Sequence, residues 1–80
     1  MLAVIREGKP LTNFSVEITW AEGEVSIVSL HETVAKGGVF AALSDPKIFG
    51  QLKIGDGGRW LEWPNEVDIC ADALWYRAHP

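Results

Sequence analysis

Between Gly37 and Asp68, turn residues, a helix start and large aromatics follow one another so closely that only short elements fit between them. Gly37 is a natural C-terminal stop for one helical turn over 31–36. Val39-Phe40-Ala41-Ala42-Leu43 reads as a buried connector. Ser44-Asp45-Pro46 then signals a helix: Asp45 accepts backbone N–H bonds as the cap, and Pro46 in the first helical position gives up no hydrogen bond. Ile48, Phe49 and Leu52 supply its inward face, while Gly50 and the Gly55-Asp56-Gly57-Gly58 loop keep it short. Leu52–Ile54 and Arg59–Trp63 read as strands joined by that loop, and a turn at Pro64-Asn65-Glu66 leads into Val67-Asp68-Ile69. This order points to a fold far more sharply than to an activity.

Upstream, Phe14, Val16, Ile18 and Trp20 alternate with Ser15, Glu17 and Thr19, which places large apolar groups on one face of a strand. Ala21-Glu22-Gly23-Glu24 supplies a hairpin loop, and Glu24 to Leu30 returns as the antiparallel partner. Val25 and Ile27 lie on one side of that partner and Val28 and Leu30 on the other, so both faces are expected to be covered toward its end. Met1 to Ile5 reads as a first strand ending in a turn at Gly8-Lys9-Pro10. Near the other end Ala71, Leu74, Trp75 and Ala78 recur at i, i+3, i+4 and i+7, a helical stripe that docks on a sheet. The expected fold class is α+β. One two-layer domain over residues 1–80 is expected, with a mostly antiparallel sheet of about five to six strands built from hairpins, a short central helix and a C-terminal helix.

A chain of 80 residues makes one domain. It buries about 60 to 65 % of the surface its unfolded form exposes, and its expected stability is about 4 to 12 kcal/mol. Self-association relieves so narrow a margin. With 48 % apolar and 22 % charged residues the composition is that of a globular protein. Seven Lys and Arg against eleven Asp and Glu give a net charge of −4. The cations scatter at positions 6, 9, 36, 47, 53, 59 and 77, whereas a phosphate backbone requires a cluster, so no direct nucleic-acid binding is expected. Cys70 is the only cysteine, which excludes a disulfide framework and a multi-cysteine metal site and favours a reducing cytoplasm. The apolar start Met1–Ile5 meets Arg6-Glu7 far short of a signal peptide or of the ~20 residues of a membrane span. A cytoplasmic protein that makes no membrane contact is expected.

Taken together, Gly38-Val39-Phe40, Leu43, Asp45-Pro46, Phe49, Trp63-Pro64-Asn65, Asp68 and Leu74 resemble the bacterial domain-of-unknown-function family 2442 over nearly the whole chain. The resemblance implies a small two-layer α+β domain. Some relatives carry a helix-turn-helix module after the domain, and many are encoded beside another small protein, which implies partner binding or regulation. Some relatives are also tied to molybdenum-cofactor nucleotidylation, a chemistry that a short chain with no phosphate-cradling glycine motif after a strand does not support. Two departures stand out. Glu66 occupies the place of a family glycine, and a non-glycine at positive φ costs about 1 kcal/mol or more, so either the turn differs or Asn65 takes the strain. Cys70 stands where relatives favour a small capping residue, and a thiol caps poorly, which leaves the helix start to Asp68 or to water. No helix-turn-helix follows in the sequence, so any DNA role is expected to come through a partner.

Trp60, Trp63 and Trp75, with Trp20, are many indoles for so short a chain, and exposed Trp marks interfaces. The first three are the candidate partner contacts. Core packing is the opposing reading, and the opposite parity of Trp60 and Trp63 in their strand turns one of them outward or beneath a helix. Gly38, Phe40, Asp45, Pro46, Pro64, Asn65 and Asp68 are assigned to the structural motif. Asn65 and Asp68 read as local backbone partners; Glu62, Glu66 and Asp68 crowd one hairpin, where Glu62 and Glu66 read as solvated positions beside a turn. His31 and Glu32 are sequence neighbours that do not converge on a metal, and His79 is expected to be disordered near the end of the sequence. Cys70, with no adjacent Lys, Arg or His, reads as a buried and inert thiol.

No catalytic, cofactor or metal residue is therefore assigned, and no enzyme is expected. The expected function is a non-catalytic protein-interaction module that forms a homodimer or pairs with another small protein, because an uncovered sheet edge invites strand addition. The alternatives are an antitoxin-like or DNA-associated regulatory subunit acting through a partner, and a small-molecule pocket between helices and sheet.

Overall fold

The computed structural model describes residues 2–80. Six strands divide between two three-stranded antiparallel sheets, each a simple meander. The first contains β1 (Ile5–Pro10), β2 (Ser15–Trp20) and β3 (Val25–Ser29); the second contains β4 (Lys53–Ile54), β5 (Trp60–Trp63) and β6 (Val67–Cys70). Between the sheets run α1 (His31–Ala35), a 3-10 segment (Gly38–Ser44) and α2 (Pro46–Phe49), and α3 (Ala71–Ala78) follows β6.

The period of two in β2 buries Val16, Ile18 and Trp20 completely or nearly so. From the second sheet Leu61, Trp63, Val67 and Ile69 close the core, together with Leu74 of α3. Each fully buried side chain of this kind contributes about 1.5–3 kcal/mol. The two core indoles keep their N–H groups satisfied: Trp20 donates to Ser26 Oγ at 3.0 Å and Trp63 donates to the Phe49 carbonyl at 3.0 Å. Asp45 caps α2 through its carboxylate, which accepts the Lys47 N–H at 2.9 Å, and Pro46 fills the first helical position as expected.

Three expectations change. The first strand lies at Ile5–Pro10, and the chain turns at Thr12–Phe14 instead of at Gly8-Lys9-Pro10; Met1 of the expected strand lies outside the described residues. Gly8 stays in the strand because Leu61 packs directly onto it, its Cδ2 only 3.1 Å from where a Cβ would stand. Pro10 is tolerated because the Leu11 N–H bonds the Ser15 carbonyl, so alternation turns Pro10's nitrogen toward the open edge of the sheet. Second, Val25 and Ile27 remain exposed where both faces of β3 were expected to be covered, because β3 is the outer strand and no element is laid over that face. Third, the 39–43 connector is buried only in part: Leu43 is inaccessible while Val39 is exposed.

Candidate functional site

The two edges of the first sheet differ in kind. β1 carries Arg6, Glu7, Lys9 and Pro10, charges and a proline that blunt an edge against other strands. β3 reads Val25-Ser26-Ile27-Val28-Ser29, with neither charge nor proline, and leaves Val25 and Ile27 exposed at 55 % and 65 %.

Its register is well defined. Leu30 N–H bonds the Phe14 carbonyl and Trp20 N–H bonds the Glu24 carbonyl, each at 2.8 Å. By antiparallel alternation Glu24, Ser26, Val28 and Leu30 aim their backbone groups at β2, and Val25, Ile27 and Ser29 aim theirs outward. A trough of about 480 Å³ runs beside Ile27 and Ser29, walled by Glu32, Thr33 and Lys36 of the α1 region and by Arg77 of α3. Arg77 is held in place by its bond to Thr33 Oγ1 at 2.7 Å.

A second concavity, about 750 Å³ in volume, lies between Pro10–Phe14 and α2 and is lined mainly by Leu11, Phe14, Pro46 and Phe49. Asn13 and Phe14 both sit at positive φ, 58° and 56°, a rare state for a bulky side chain. The Phe14 ring is held there edge-on to Phe49 at 5.5 Å.

The tryptophans do not converge. Trp63 is in the core, 4 % exposed and stacked on Phe49 at 5.9 Å. Trp60 is half-buried on the opposite face of β5, donates to Glu62 Oε1 at 2.7 Å, and packs against Gly55. Trp75 is half-buried on α3, edge-on to Trp20 at 5.0 Å and stacked on His79 at 3.8 Å. The opposite parity expected for Trp60 and Trp63 is present.

Among the motif residues, Gly38 opens the 3-10 segment with φ 63°, and Phe40 packs half-buried on the core. Pro64 leads a turn in which Asn65 and Glu66 both adopt positive φ, 70° and 60°, so the strain is shared between them. Asp68 is exposed and stands opposite Glu62 across the hairpin.

The ends of the chain meet around one ion pair. Arg59 bridges Asp72 at 3.2 Å and also donates to the Ala3 carbonyl, while the Ala3 N–H donates to Asp72 at 2.8 Å. The Ala3 amide first, and Arg59 second, hold the Asp72 carboxyl below its usual range. The Arg59 carbonyl accepts the Ala71 N–H at 2.8 Å and so supports the start of α3, the role expected of Asp68 or water. Cys70 caps nothing and is exposed, where a buried thiol was expected; Val67 and Ile69 point inward, and strand parity turns Cys70 out. His79, expected to be disordered, bonds the Trp75 carbonyl and Glu24, and these two contacts in that order raise its pKa.

Among the described residues no three of His, Cys, Asp and Glu gather as metal ligands would, and no helix is long and apolar enough to cross a membrane. The sequence reading missed Val25 and Ile27 as surface features. They share the outer parity of a strand whose inner parity is filled by Val28, and only the position of that strand at the sheet edge leaves them uncovered.

The fold is similar to that in the crystal structure of Putative DNA Binding Protein NE0471 from Nitrosomonas europaea ATCC 19718, with a TM-score of 0.81 and 23 % identity. The match covers 95 % of this chain and 48 % of that one, so this chain spans about half the length of the Nitrosomonas protein. None of the curated proteins matches. The model of the family described as "Protein of unknown function (DUF2442)" matches residues 5–80, and the chain belongs to that family.

Proposed function

We propose that this chain is a non-catalytic protein-interaction module that binds through the open edge of β3, joining a second copy or another small protein. One observation carries the reading: an uncharged, proline-free edge strand exposes Val25 and Ile27, while the opposite edge of the same sheet is blunted. Soluble proteins manage such edges explicitly, and an unmanaged one is a template for strand addition. Light scattering across a concentration series tests it. A particle larger than one chain, reduced to one chain by Ile27→Lys, is expected. A strict monomer at every concentration, with no protein retained from a cell extract, refutes it.

A second reading is a DNA-associated subunit that acts through a partner. The name of the Nitrosomonas structure favours it, and the scattered cations of this chain argue against direct contact. A gel-shift assay with this chain alone and with any retained protein decides; no shift in either case removes it.

A further inference from the structure

We infer that the β3 edge receives an extended segment of another protein, one that sets an acidic side chain beside Val28 and an apolar one beside Ile27. This rests on the interaction-module reading above and adds the chemistry of the partner.

The two faces of the edge ask for different side chains. Val25, Ile27 and Ser29 aim their backbone groups outward, so a segment laid against them is bound as a further strand. Its side chains then alternate between the faces of the sheet, whichever way it runs. On the outer face the neighbour of Ile27 meets a side chain that is 65 % exposed, and an apolar group there takes that surface out of water. On the inner face the neighbour of Val28 enters the trough. There α3 lies against the sheet, with Trp75 edge-on to Trp20 at 5.0 Å, and α1 contributes the buried Thr33. The side chain beside Val28 therefore extends over Thr33 toward Lys36 and Arg77.

Charge decides which side chain the trough accepts. Glu32 stands four positions before Lys36, the spacing at which glutamate and lysine meet on a helix face, and so offsets that cation. Arg77 remains. Neither ion pair among the described residues includes it. Its guanidinium donates to Thr33 Oγ1 at 2.7 Å, which fixes it at the trough and leaves further N–H groups for an incoming carboxylate. At the other end of the strand Glu22 and Glu24 precede Val25, so an acid is favoured at the Ser29 end of the edge and disfavoured at the Val25 end. The stretch Val25–Ser29 carries no charge, so a second copy of β3 brings no carboxylate to the trough.

A capped pentapeptide tests the assignment: a central glutamate between two valines, with a threonine at each end, titrated into the isotope-labelled chain and followed by amide chemical shifts. Saturable shifts centred on Ile27 and Ser29 are expected. The same peptide with a central lysine is expected to bind about five- to ten-fold more weakly, since it exchanges an attraction for a repulsion. Arg77→Glu should reverse that preference, and Lys36→Glu, which leaves the Thr33 bond intact, should abolish it. Equal affinities for the two peptides, with the edge amides shifting, refute the acidic partner and leave the module reading standing. So does binding of neither peptide by a chain that forms a larger particle or retains a protein from extract. Binding of neither by a strict monomer that retains nothing refutes both.

Discussion

Gly57 and Gly58 sit side by side at φ 66° and 74° in the loop before β5, yet alanine has very different consequences at the two. At Gly57 a Cβ meets nothing closer than Arg59 Cγ at 3.8 Å. Gly57→Ala therefore costs only the left-handed conformation, about 1–2 kcal/mol, less the roughly 0.4–1 kcal/mol recovered from a stiffer unfolded chain. At Gly58 the same methyl lies 2.3 Å from the Ile5 carbonyl oxygen and 2.9 Å from the Ile5 nitrogen. Both obstacles are backbone, which cannot rotate away, so β1 has to separate from the loop. Overpacking of this kind costs about 1–3 kcal/mol more. In a domain of this size each kcal/mol is worth about 4–8 °C in Tm, so Gly58→Ala should melt roughly 4–24 °C below Gly57→Ala. Urea denaturation followed by Trp fluorescence measures the same gap at constant temperature. If the two variants match within about 0.5 kcal/mol, below the least overpacking cost, β1 and the 56–58 loop do not approach as described.

Gly55→Ala places a methyl 1.9 Å from Trp60 Cε2 and expels that indole, with loss of its bond to Glu62; a changed near-ultraviolet dichroism and a cost of about 1–3 kcal/mol are expected. Leu74→Ala empties a fully buried site and should cost about 2–5 kcal/mol in denaturant titration. The His79 pKa is raised on folding, so its contribution to stability is complete below its ordinary value of 6.5 and fades as pH climbs through the raised value. Urea midpoints between pH 5.5 and 8.5, about one unit below to two above a typical His pKa, should show a decline that His79→Gln abolishes. The Asp72 pKa is lowered, so its contribution is present above 3.8 and is lost as pH falls through the folded value; Asp72→Asn should flatten the acid limb of the same titration.

The hairpins were legible in the sequence because period-two burial and turn chemistry are local properties. Val16, Ile18 and Trp20, the Asp45-Pro46 cap and the Ala71–Ala78 stripe needed no knowledge of the rest of the chain. What escaped was set at long range. Gly8 and Pro10 look like a turn until Leu61 is seen to fill the space over one, and the edge position to excuse the other. Residues 25 and 27 look like core until one knows that no element is left to cover them. Trp63 and Trp60 carry the same side chain in one strand, and only the strand's orientation sends one inside and the other over Gly55. Of the candidate site, the idea of an open edge was legible; which strand exposes it was not.

The bond from the Ala3 amide to Asp72 ties together positions 69 residues apart. On the ribosome the first meander is therefore made long before the helix that fastens it, and α3 follows all six strands. Throughout that interval the nascent strands lack their final support, and β3 is as available as it will ever be. A partner that pairs with that edge, as proposed, is thus placed to meet it during translation, ahead of any encounter with the finished molecule.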